Sequence, residues 1–146
     1  MIKLNCFLIA EYAAIAVDGK LTIAGAFDNL DVQRRPGAPE GSLDQIPFPR
    51  ASIAAITEAS IADGLSHQMR LRILDGNGQL IAPDIPLVVN YSLNQYGRPM
   101  RHNMLLNIMG LILPGPDDYV FELYVDDQPT PLGEFTFSVT ERVEPA

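Results

Sequence analysis

The chain has 146 residues, 47% of them apolar, which is enough for a packed core without disulfides or metal and excludes global disorder. Its net charge of −8, from 18 acidic against 10 basic residues that form no stripe, argues against nucleic acid or an anionic membrane as a partner. No apolar run approaches the ~20 residues of a membrane span, and the single cysteine, Cys6, allows no intrachain disulfide and suits a reducing, cytoplasmic compartment.

Residues 1–28 admit two descriptions. Lys3, an apolar run and Ala14-Ile15-Ala16 imitate a secretory signal peptide, but Asn5 and Glu11 interrupt the run, and a carboxylate there opposes membrane insertion. Alternation favours a hairpin. Ile2, Leu4, Cys6, Leu8, Ala10, Tyr12 and Ala14 share one strand face, with Lys3, Asn5 and Glu11 on the other. A two-residue Asp18-Gly19 loop sets Ala16 against Leu21, Ala14 against Ile23, Tyr12 against Gly25 and Ala10 against Phe27, with both apolar sets on one buried face. Tyr12 then packs over bare backbone at Gly25, and Cys6 is a buried, inert thiol.

The second strand extends toward Val32, and residues 34–49, rich in Pro and Gly, form a long loop. Residues 51–58 make a small-residue strand, followed by an Ala62-Asp63-Gly64-Leu65 turn. In residues 68–74, Met69, Leu71 and Ile73 alternate with Arg70 and Arg72 as in a half-buried strand, and Asp75-Gly76-Asn77-Gly78 turns the chain. Residues 85–93 place Leu87, Val89, Tyr91 and Leu93 on one face. Residues 102–113 are apolar on both faces, as in a central strand or one covered by another chain. After the Pro114-Gly115-Pro116-Asp117 break, Tyr119, Phe121, Leu123 and Val125 alternate, then Phe135, Phe137 and Val139. About eight short strands, with no amphipathic helix of ~10 residues, predict an all-β fold. The expected architecture is an antiparallel β-sandwich of immunoglobulin-like or C2-like type over residues 1–140, with a β-barrel as the alternative. Residues 141–146 are a flexible polar tail.

Little in the chain points to chemistry. His67 and His102 sit among ordinary strand residues, without a Gly-x-Ser-x-Gly elbow or a neighbouring Cys–His pair, so no enzyme and no cofactor are expected. Gly76-x-Gly78 is too short for a dinucleotide fingerprint. Asp75-Gly76-Asn77-Gly78 begins like an EF-hand loop, but Leu80 stands where Gly is needed and Pro86 where the bidentate Glu is needed. Calcium would instead require the acidic turns at Asp75, Asp117, Asp118, Asp126 and Asp127 to converge at one end of the sandwich; otherwise these are turn-forming residues. Two His and one Cys at unrelated spacings give zinc no support. Tyr96, Arg98, Arg101 and His102 form a candidate ligand loop for an anion or carbohydrate, or else a solvated connector. Met100, Met104, Leu106 and Met109 belong either to a strand buried on both sides or to a self-association surface.

The start of the chain carries Asn5-x-Phe7, Glu11-x-Ala13, Val17-Asp18-Gly19-Lys20-Leu21 and Gly25-x-Phe27-Asp28. Toward the end stands Pro114-Gly115 and, after extra residues, Tyr119-x-Phe121-x-Leu123-x-Val125-Asp126. Together these resemble a bacterial family of small domains of unknown function. The resemblance implies a stand-alone β-sandwich and brings with it no catalytic residue. The expectation is a non-enzymatic interaction domain that binds an unknown protein partner or forms a homodimer. The alternative is a calcium- or carbohydrate-binding module that uses loops at one end of the sandwich.

Overall fold

Alternating apolar residues build two sheets that enclose the core between them. A computed structural model describes residues 1–34, 37, 39, 45–93 and 98–143. The strands are β1 (Lys3–Ile15), β2 (Leu21–Ala26), β3 (Asn29–Arg34), β4 (Ile46–Pro47), β5 (Ala51–Ala59), β6 (Ser66–Leu74), β7 (Ile85–Asn90), β8 (Met100–Ile108), β9 (Ile112–Leu113), β10 (Asp117–Val125) and β11 (Gly133–Val143). A 3-10 turn spans Ile61–Asp63, and among the described residues no helix is long and apolar enough to cross a membrane. One sheet has the order β2-β1-β5-β8 and the other β3-β11-β10-β6-β7, while β4 and β9 form a small third sheet. The all-β sandwich expected from the sequence is thus observed.

One pair breaks the antiparallel rule. β3 does not extend β2; Phe27-Asp28 carry the chain from one sheet to the other, where β3 runs parallel to β11. Phe27 packs edge-on against Phe137, Ser138 N–H donates to the Asp28 carbonyl at 2.9 Å, and the ion pairs Arg34–Glu141 and Arg142–Asp31, each 3.0 Å, staple the two strands. Glu141–Val143 therefore continue β11 rather than begin a polar tail.

Ile9, Ile53, Leu71, Tyr119, Phe121 and Phe137 fill the centre of the main core, and each such buried side chain contributes about 1.5–3 kcal/mol. Met69, Val89, Tyr91, Met100, Met104 and Leu123 form a second cluster beside it. Residues 34–49 are not simply a loop. Ile46 and Phe48 enter the core, with Phe48 set 5.0 Å from Phe137 and 6.2 Å from Phe121, and β4 pairs with β9. The strand between β1 and β8 is β5, whose alanines keep both of its faces low, with Ala54 and Ala55 buried on opposite faces. The segment 102–113 is divided instead. β8 lies at a sheet edge, Gly110 (φ 74) breaks the strand, and β9 pairs elsewhere. Its two-sided apolarity arises because Met104 and Ile108 enter the core while Leu105 flanks Ala54 on the opposite face.

The first hairpin differs from expectation in phase. Its loop is Val17-Asp18-Gly19: Ala16 N–H donates to the Lys20 carbonyl at 2.8 Å and Gly19 takes φ 83, as in a type I turn with a G1 bulge. Ile15 therefore faces Leu21, Ala13 faces Ile23 and Tyr12 faces Ala24, one residue off the predicted register. A bulge between Leu4 and Cys6 also exchanges the faces of β1, so that Phe7, Ile9 and Ala13 turn inward while Cys6 is only half-buried and Tyr12 is 58% exposed. Gly25 (φ 71) lies under Glu11, not Tyr12, and a Cβ there would stand 2.9 Å from the Glu11 carboxylate. The tip of the hairpin reaches β8, where Asn103 Nδ2 donates to the Gly19 carbonyl at 2.7 Å. Since Asn103 lies on the row of Cys6, the ribbon curls back over its own sheet.

Candidate functional site

Where β10 ends, Asp126 takes φ 48, a conformation that short polar side chains tolerate, and this aims its carboxylate at the start of β6. Asp126 Oδ2 lies 2.7 Å from His67 Nδ1, and Oδ1 accepts from Gln68 N–H at 3.1 Å. His67 Nε2 faces the Gly64 carbonyl at 3.2 Å. Both ring nitrogens meet acceptors, which favours the doubly protonated imidazolium. Burial opposes that charge, but the Asp126 and Gly64 bonds outweigh it and raise the pKa above 6.5. Behind the imidazole, Tyr91 stacks edge-on between His67 and His102 at 6.0 Å from each and donates to Thr57 Oγ1 at 2.7 Å, tying the two sheets together. Burial lowers the pKa of His102, against a hydrogen bond with the Asn90 backbone.

A cleft of about 650 Å³ opens beside this clamp, lined among others by Ile2, Leu4, His67, Gln128, Thr130 and Leu132. With Nε2 engaged by a carbonyl and Nδ1 by a carboxylate, His67 offers the cleft no free lone pair for general-base work. In this arrangement the pair is a structural clamp on the β10–β11 turn.

The acidic turns do not converge. Asp117 and Asp118 open β10 while Asp126 and Asp127 follow its end, so the 9-residue strand, about 30 Å long, separates them. Asp75 does join Asp117 and Asp118 along a groove of about 570 Å³ that also takes in Glu122 and Glu134. Asp117 has both oxygens engaged, accepting from Gly76 N–H at 2.9 Å and from Asp118 N–H at 2.8 Å, and one oxygen of Asp75 accepts from Asn77 and Gln79 N–H, each at 2.9 Å. A Cβ at Gly76 would collide with the Asp117 carboxylate. Among the described residues, no three His, Cys, Asp or Glu side chains are grouped to hold a metal ion.

The candidate ligand loop is also divided. Tyr96 lies outside the described residues and Arg98 is exposed. Arg101 turns outward to Glu58 at 3.4 Å, whereas His102, its neighbour on β8, turns inward against Tyr91, because successive strand residues face opposite ways. Of the candidate interface, Met100 and Met104 are core residues and Leu106 is half-buried against the core, so they form no free surface; Met109, 68% exposed, lies past the end of β8.

Two surfaces went unanticipated. On the outer face of the five-stranded sheet, Arg70 and Arg72 stack over the Tyr124 ring at 4.7 and 5.0 Å, Arg72 forks onto Asp84 at 3.1 and 3.2 Å, and Tyr124 O–H donates to Glu122 at 2.8 Å. The alternation of Arg70 and Arg72 signals this face, but the cross-strand tyrosine becomes visible only with the register. The second is the β1–β2 hairpin. Tyr12, Ile15 and Val17 are exposed, and β2, free of charge from Leu21 to Ala26, has no strand partner on its outer side among the described residues.

Comparison with curated proteins and with solved structures gave no match. Residues 5–140 match the protein family described as a family of unknown function (DUF6941), and the chain belongs to that family.

Proposed function

We propose that the chain is a non-enzymatic interaction domain that binds a protein partner or a second copy of itself. The observation that carries this reading is the hairpin, which presents Tyr12, Ile15 and Val17 with no charge between them, on a chain of net charge −8. Tyr12 and Ile15 lie on opposite faces of β1 and Val17 at the turn, so the exposed apolar side chains are gathered on one projecting hairpin rather than scattered over the surface. The engagement of His67 with two acceptors and the enclosure of His102 agree with it. The single cysteine suits a cytoplasmic setting. Affinity capture from the native host's lysate, with the wild type and a Tyr12→Glu/Val17→Glu variant as baits, tests the reading. A partner retained by the wild type and lost by the variant supports it, and identical captured sets refute it.

A further inference from the structure

The four outer strands of the two main sheets are not alike. β7 carries Pro86, which lacks an N–H. β3 bears Asp31 and Arg34, both engaged with β11, while β8 carries Arg101 and lies alongside β7. Only β2 has neither charge nor proline. The Ala16–Lys20 bond sets the phase of the β1–β2 ladder, so Thr22 and Ala24 turn their backbone groups to β1 while Leu21 and Ile23 turn theirs outward; at Gly25 (φ 71) the phase changes, and Phe27 N–H donates to the Ile9 carbonyl at 3.1 Å.

We propose, building on the interaction reading above, that β2 pairs antiparallel with β2 of a second copy about a two-fold axis at Ile23, joining the two four-stranded sheets. The sequence Leu-Thr-Ile-Ala-Gly-Ala is self-complementary in that register. Leu21 falls opposite the partner's Gly25, Thr22 opposite the partner's Ala24, and Ile23 meets its own symmetry mate, so each larger side chain meets a smaller one away from the axis. No charged residue of β2 itself enters the seam, which matters for two acidic chains; the Glu11 carboxylate lies over Gly25, at the outer end of the paired segment. It also closes on itself, because pairing consumes the free edge and the assembly stops at a dimer.

Light scattering on size-separated protein from about 1 to about 100 µM tests this. The wild type should move from monomer to dimer. Thr22→Lys/Ala24→Lys, at exposed positions, sets two lysine pairs face to face across the seam and should weaken the dimer about tenfold, ~1.4 kcal/mol. Thr22→Glu/Ala24→Glu should do the same, and mixing the two variants should restore a heterodimer, which also shows that both remain folded. A wild type that stays monomeric throughout, a dimer indifferent to both variants, or an equimolar mixture that stays monomeric overturns the proposal. Retention of a hairpin-dependent partner by a monomeric wild type would overturn the dimer alone; loss of both would also remove the interaction reading.

Discussion

Replacing Asp126 by asparagine takes one negative charge from the clamp while keeping an acceptor for Gln68 and a residue type that tolerates positive φ. His67 then loses the carboxylate that, against the cost of burial, helps hold its pKa above 6.5. A histidine whose folded pKa is raised contributes its full stability below about 6.5 and loses it as the pH climbs through the folded value. A hydrogen bond to a charged group is worth ~1.5–3 kcal/mol. Here His67 is buried but the Asp126 side chain is 47% exposed, and screening reduces the contribution to about 1 kcal/mol. Urea unfolding of both proteins from about pH 5.5 to about pH 8.5 measures it. The wild type should be more stable than Asp126→Asn by about 1 kcal/mol at the acid end, with the gap narrowing toward the alkaline end. His102 works in the opposite sense: burial lowers its pKa, so its contribution is intact above 6.5 and lost as the pH falls. That term is common to both proteins and cancels in the difference. A gap that stays constant or widens with rising pH would refute the clamp.

Phe48→Ala should cost about 3–5 kcal/mol in urea unfolding, since the ring is 5% exposed and packs on Phe121 and Phe137; an unchanged midpoint would put it outside the core. Met104→Lys should destabilise severely, by about 4 kcal/mol or more, because it buries an unpaired charge, whereas Met109→Lys should stay within about 0.5 kcal/mol. Thermal scans that rank the two alike would contradict the assignment of Met104 to the core.

Alternation made the strands legible wherever it ran unbroken. Met69, Leu71 and Ile73 on β6 and Tyr119, Phe121 and Phe137 on β10 and β11 all point inward as the pattern requires. The dividing line was the local break in period. Nothing in a period-two count signals that Phe48, flanked by prolines, will anchor a loop in the core, or that Gly110 will end β8 and send Ile112-Leu113 to another sheet. Likewise, Asp117 and Asp126 look close in sequence, yet an extended strand is the longest path a chain can take between two residues. The clamp was missed for a related reason: His67 and Asp126 are 59 residues apart, and only the pairing of β6 with β10 brings them together.

The same breaks decide which surface the domain offers. Without the bulge after Leu4, β1 would keep Cys6, Leu8 and Tyr12 on its inner face and the hairpin would show Asn5 and Glu11 outward. With it, the core takes Phe7 and Ile9, and Tyr12 emerges on the side that solvent or a partner meets. The three-residue turn then shifts β2 by one position, so that Ala13 pairs with Ile23 and the inward set of β2 still matches that of β1. Two one-residue irregularities thus preserve the core while moving apolar residues to the outside. Glu11 stays exposed and lays its carboxylate over Gly25, where a Cβ would oblige it to move. The proposed pairing of β2 draws on the edge that these irregularities leave uncharged, whereas packing alone would be served by a hairpin with its apolar residues turned inward.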